Sequence, residues 1–175
     1  VTVTKNVTAN GSGNVALKTT GANDVNVNAA TVSSTSGNLQ VISGRHILTS
    51  TATGTTNEFA TSGTLLLDAQ DSIGTTGSRI DTAVGTVAAI SAGASTAGDI
   101  FLNQTAGALT VGTATGLDSR GNLDGIVTSA NNNDITLVSA GAVTVTKNVT
   151  ANGSGNVALT VTPVDTLLNH TANAI

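Results

Sequence analysis

The chain has 175 residues, of which 9% are charged and 1% aromatic, with a formal net charge of −4. Lys and Arg stand only at Lys5, Lys18, Arg45, Arg79, Arg120 and Lys147, too scattered to form a basic stripe, which argues against nucleic acid and anionic membrane surfaces as partners. Cysteine is absent, so disulfides and thiolate metal sites are excluded, and no apolar run has the length of a membrane span.

Hydrophobic residues make up 39% of the chain, too many for disorder, but Phe59 and Phe101 are the only aromatics. The core must be built from Val, Ile, Leu and Ala, which suits a narrow, layered interior in which bulky rings would misfit.

The opening stretch Val1 to Leu17, VTVTKNVTANGSGNVAL, returns unchanged at Val143 to Leu159, an offset of 142 residues (143 − 1). A repeat of this length marks a duplicated block and points to an array, solenoid or stalk. Val1 already lies inside a strand pattern, so the expected boundary is mid-array. We read 1–159 as a shaft, one 142-residue block plus the start of the next. Residues 160–175 are expected to be a divergent last coil or a cap. There Lys18-Thr19-Thr20 of the first copy is replaced by Thr160-Val161-Thr162, followed by Pro163, Leu167, Leu168 and His170.

A shorter rhythm runs along the chain. Strand-like pentads begin at Gly13, Gly37, Gly63, Gly85, Gly107, Asn133 and Gly155, in steps of 24, 26, 22, 22, 26 and 22 residues, and further ones open at Gly98 and Gly141. Apolar residues alternate within them: Val15 and Leu17, Leu39 and Val41, Leu65 and Leu67, Val87 and Ala89, Ile100 and Leu102, Leu109 and Val111, Val143 and Val145. Period-2 alternation turns one set of side chains to one face of a strand. Short strands are also predicted at Val25 to Val27, Ile47 to Thr49, Ile80 to Val84 and Ile126 to Thr128, and no 3.6-residue stripe occurs.

The pattern predicts an all-β parallel β-helix (a β-solenoid) of about 24 residues per coil. Hairpin signals and core aromatics for a sandwich are missing, as are propeller blade markers. About seven coils stacked at ~4.8 Å would make a rod near 35 Å long. Asn14, Asn38 and Asn156 are expected to share a corner and form a hydrogen-bonded ladder. Six steps fill one block, so the second copy of the duplicated segment is expected above the first with little rotation. Open ends left by such a coil would invite end-to-end stacking.

Leu65 to Gly112 carries Ser-Ile-Gly at 72–74, Arg-Ile-Asp-Thr-Ala-Val-Gly at 79–85 and Gly-Ala-Leu-Thr-Val-Gly at 107–112. With Gly125 to Val145, this run resembles the repeat region of filamentous-haemagglutinin-like exoproteins. The resemblance implies a right-handed β-helical shaft of a large secreted bacterial adhesin exported by two-partner secretion. The family's amino-terminal secretion domain has no counterpart in these residues, and the shaft carries no catalytic residues to transfer.

Asp68, Asp71 and Asp81 form the densest acidic group. Carboxylates on a β-helix resemble those of polysaccharide-cleaving enzymes, but a sugar cleft usually adds aromatic platforms, and Trp and Tyr are absent. Turn capping is the default reading. Asn131-Asn132-Asn133-Asp134 is read as a coil corner rather than an ion site, and no calcium-binding nonapeptide occurs. His46 and His170 lack a second ligand at metal spacing, and His46 is expected to face solvent. Sequons at Asn6 and Asn103 are expected from composition, and Thr2 and Thr4 are too few for an ice-binding array. The expectation is therefore a non-enzymatic protein without catalytic, cofactor or metal residues, located outside the bacterial cell or on its surface. Its partners would be neighbouring repeats or identical subunits stacked end to end, with any host contact elsewhere in the full chain. The alternatives are a self-assembling filament subunit and a carbohydrate-binding module.

Overall fold

The structure, a computed structural model, describes residues 1–93 and 98–162. The divergent segment after Thr162 lies outside the described residues. Among those described there is no helix, and nearly all strand pairs are parallel. The chain is a β-solenoid of about six turns. One column of stacked residues passes through Val25, Ile47, Ile73, Ile100, Ile135 and Val157, and beside it Thr2 lies below Asn26 and Val3 below Val27.

Three strands make the first coil: Thr2–Val3, Val7–Ala9 and Val15–Lys18. Above them lie Val25–Val27, Val32–Ser34 and Leu39–Ser43. Higher up, the second and third sides fuse into the long strands Phe59–Ala69 and Ile80–Ser91, paired in register with one slip at Thr61/Thr64. Alternation decides which way each residue faces. Val25, Val27, Leu39, Val41, Leu65, Leu67, Val87, Ala89, Ile100 and Leu102 all turn inward and are buried in one continuous core. Each coil closes the backbone groups of its neighbours, as in Val25 N–H to His46 O (2.9 Å) and Ile135 N–H to Asn156 O (2.8 Å).

Glycine opens the third side because the coils approach there through backbone. A Cβ at Gly37 would stand 2.0 Å from Gly13 O, and one at Gly141 would stand 2.1 Å from Gly107 O. Thus Gly13, Gly37, Gly63 and Gly85 stack in one column, and Gly141 stacks on Gly107 two residues earlier along the same side, since Thr110 lies on Thr86. Asn133 and Gly155 do not belong to it. They stack near Gly98, at the start of the Ile100–Gln104 side.

That corrects the predicted phase. Ile100 pairs with Ile135, a coil of 35 residues (135 − 100) where the others take 22 to 27, so the 142-residue block spans five coils and part of a sixth. Val145, the copy of Val3, consequently sits on the column of Val111, Val87, Leu65, Leu39 and Val15, not on that of Val3. The second copy is rotated by a third to a half of a turn. Asn156 likewise leaves the Asn14–Asn38 corner.

Phe59 is a second correction: the ring is fully buried. Its column neighbours are Val32 below and Thr82 above, both smaller, so one large side chain fills the layer they leave. Phe59→Ala should lower unfolding free energy by about 3–5 kcal/mol, read from urea denaturation. Leu65→Asp and Leu137→Asp bury an unpaired charge and should abolish cooperative melting, whereas Thr136→Asp should melt like the parent. A parent-like melt of either leucine variant would refute the inward register.

Candidate functional site

The corners are held by side-chain acceptors that reach up to the next coil. Asp24 Oδ1 accepts the His46 N–H (3.1 Å), and His46 Nδ1 accepts the Ser72 N–H (3.1 Å). Asp99 Oδ1 accepts the Asp134 N–H (2.7 Å), and Asp134 Oδ1 accepts the Asn156 N–H (2.7 Å). On the neighbouring corner, Asn14 Oδ1 accepts from Asn38 N (2.8 Å), and Asn38 Oδ1 accepts from Thr64 N (3.2 Å). His46 is thus a half-buried rung of a ladder and not the solvent-facing residue expected. Asn131 to Asp134 form a corner, with Asn132 at φ 66°.

The three aspartates singled out in the sequence are not brought together as a site. Asp68 pairs with Arg120, Asp71 lies 3.8 Å from His46 Nε2, and Asp81 is fully buried at another corner. There it meets Glu58, also fully buried, a residue the sequence reading passed over. Glu58 is the only glutamate in the chain, which is the one signal that could have marked it.

Glu58 Oε1 accepts the hydroxyls of Thr49 (2.8 Å) and Thr51, and Oε2 accepts the Asp81 N–H (2.7 Å). Asp81 accepts the Gly54 N–H and the Asn103 amide (2.7 Å). Every carboxylate oxygen is engaged by a donor of the corner loop 50–57 or of a neighbouring coil. The pair clamps that loop and offers no group to a substrate cleft. Burial pushes the Glu58 carboxyl above its ordinary value, opposed by the donors from Thr51, Asp81 and Thr49.

The long coil spends its extra residues on a hairpin. Thr113–Ala114 and Leu123–Asp124 pair antiparallel, closed by Gly125 N–H to Gly112 O (2.8 Å). The hairpin lies back over the outer face, where Ala114 and Leu123 pack on Leu66 and Ala88. Leu117 N–H donates to Gln40 Oε1 (2.6 Å), Thr115 N–H to Thr64 Oγ1 (3.1 Å), and Arg120 binds Asp68. At its base Asp124 takes the Thr113 hydroxyl and Lys147 Nζ (3.0 Å), which together hold its carboxyl below the usual range. A groove of about 450 Å³ beside it is lined by Asp124, Val127, Thr146, Lys147, Asn148 and Thr150, with no aromatic platform.

The remaining candidate is the pair of outermost described coils. Val145, Val157, Leu159 and Val161 are 42–48% exposed on the last described coil, and Val1 and Val7 are exposed on the first. Their alternation is that of core residues, and among the described residues the strands of both outermost coils pair on one side only. Among the described residues no group of three or more His, Asp or Glu is placed to hold a metal ion, and no helix is long and apolar enough to cross a membrane. No family model, curated protein or solved structure matches this chain.

Leu66 points outward yet is buried, so Leu66→Ala should cost about 2–5 kcal/mol. When 113–124 is first replaced by a short glycine linker, the same substitution should fall to about 0.5 kcal/mol, the range of an exposed site. An unchanged cost in the linker background would show that the hairpin is not what covers Leu66. Glu58 gives a pH signature. A raised native value means that the folded state holds the proton more tightly. The stability Glu58 contributes is therefore complete below the ordinary value of 4.5 and is lost as pH rises through the raised one. The urea midpoint difference between the parent and Glu58→Ala should grow from neutral pH toward 4.5. A flat difference would show that burial does not perturb the group.

Proposed function

We propose that this chain is a structural, non-enzymatic shaft segment of a filamentous adhesin, secreted by a bacterium or held on its surface. The observation that carries the reading is the uninterrupted column of Val, Leu and Ile through about six turns, in which every described coil is wired to its neighbours. Such a rod supplies length and stiffness and leaves few open backbone groups for a protease. The resemblance of Leu65 to Gly112 to filamentous-haemagglutinin-like repeats supports the adhesin context. The engaged carboxylates of Glu58 and Asp81 and the absence of Trp and Tyr favour a mechanical role over sugar cleavage.

A second reading is favoured by the exposed core-type residues at both ends: the chain is a subunit that stacks end to end into an extracellular filament.

Antibody raised against the purified protein and applied with gold to intact source cells tests the first reading. Label along surface fibres is expected, and label confined to the cell interior would overturn it.

A further inference from the structure

We propose that the upper edge formed by Val143 to Leu159 binds a second copy of this chain by strand exchange. It takes the place of the neighbour's own Val1 to Leu17 beneath that neighbour's Val25–Val27, Val32–Ser34 and Leu39–Ser43. The inference deepens the stacking reading above, on which it rests, by naming the register.

The identical segments fold alike although they sit on different sides of the rod. Thr2–Val3, Val7–Ala9 and Val15–Lys18 correspond in sequence to Val143–Val145, Val149–Thr150 and Val157–Val161. The turns agree as well: Gly11 has φ 61° and Gly153 φ 66°. Gly13 N–H donates to Asn10 O (3.1 Å), and Gly155 N–H to Asn152 O (3.2 Å). Among the described residues the first copy is covered only from above and the second only from below. The first copy therefore displays the partner that the upper edge of the second would accept.

Its contacts are written in side chains that both copies own. Asn6 Oδ1 accepts the Thr31 N–H (3.0 Å), the Thr8 and Ser33 hydroxyls meet (3.2 Å), and Asn14 Oδ1 accepts the Asn38 N–H (2.8 Å). The second copy offers Asn148, Thr150 and Asn156 at the same places. Asn156 donates its amide to Asp134 below (3.1 Å), which turns its carbonyl oxygen to the edge above.

The neighbour's first coil is easy to displace. Of Val1 to Leu17 only Val3 is buried. Weakly buried edge segments open at the low end of a protein's local stabilities. What the neighbour loses with its own coil it regains from seventeen identical residues. The exchange also covers Val145, Val157 and Leu159 and frees one coil's worth of chain. The chains fork at Leu159 and Lys18, where the copies cease to match. The exchanged stack would rise by roughly 26 Å per molecule, five coils and a fraction, whereas simple abutment of whole rods would rise by roughly 34 Å.

Cysteine pairs in this cysteine-free chain distinguish the registers. Thr8 and Ser33 are cross-strand partners, so Thr8→Cys with Ser33→Cys should close within one molecule and serves as the control. Ser33 and Thr150 lie several coils apart in one molecule, and exchange alone brings them together between copies. Oxidised full-length Ser33→Cys/Thr150→Cys protein should give a reducible ladder of trimers and longer chains, beyond the dimers a single cysteine can form. Absence of that ladder overturns the exchange. Thr2→Cys/Ala158→Cys then reports abutment, in which Thr2 of one copy lies over Ala158 of the next. A ladder from this pair alone keeps stacking and removes exchange. Monomers from both pairs remove both.

Discussion

The structure depends on the stacking of parallel strands in which no coil can satisfy itself. A single coil has two rows of open N–H and C=O groups, and its short apolar residues are too few to enclose a core. Burial becomes complete only where coils lie on both sides. Val27, Leu39, Leu65 and Ile100 are wholly buried in the middle of the rod, while Val145, Val157 and Leu159, of the same type and spacing, stand open at one end. Position in the stack, not residue type, decides which valine is core.

Because the contacts are between neighbours, the coil tolerates local additions that leave its edges in register. The corner loop 50–57 and the hairpin at 112–125 both leave the coil and return to it, and pairing resumes directly: Val111 stacks on Val87 and Ile126 on Ala89. Each excursion is then tied down by chemistry of its own. Glu58 and Asp81 hold the loop through buried charge-assisted hydrogen bonds, and Leu66, Gln40 and Asp68 hold the hairpin through an apolar contact, an amide and an ion pair.

Most of the strands were legible in the sequence because alternation of β-branched and leucine residues is a local signal. Val25 to Val27, Ile47 to Thr49 and Ile126 to Thr128 form as read. Coil phase was not legible, since it depends on how many residues a corner consumes. The step from Gly107 to Asn133 matched the mean spacing while hiding a hairpin and a change of side. A clue lay in Leu65-Leu66-Leu67: in a strand the middle residue must face out, and a leucine there needs a cover that only distant sequence can provide. Neither the aspartates nor His46 could be placed, because Asn103 and Ser72 are brought in by coil stacking and Arg120 by the folded-back hairpin, none of them by sequence spacing.

The duplicated segment ties these points together. Seventeen identical residues fold into the same three strands on two different sides of the rod, one copy beneath Val25–Val27, Val32–Ser34 and Leu39–Ser43 and the other above Leu109–Val111, Ile126–Thr128 and Ile135–Ser139. The segment therefore encodes a coil and its two edges but not an angular position. Rotation is set by where the chain between the copies ends along the coil, which leaves Val143 on Leu109 and Val145 on Val111. A block repeated with this insertion advances by five coils and a fraction, so its hairpins would wind around the shaft instead of lining one side. The side excursion thus supplies the local cover of Leu66 without shifting the columns on either side of it.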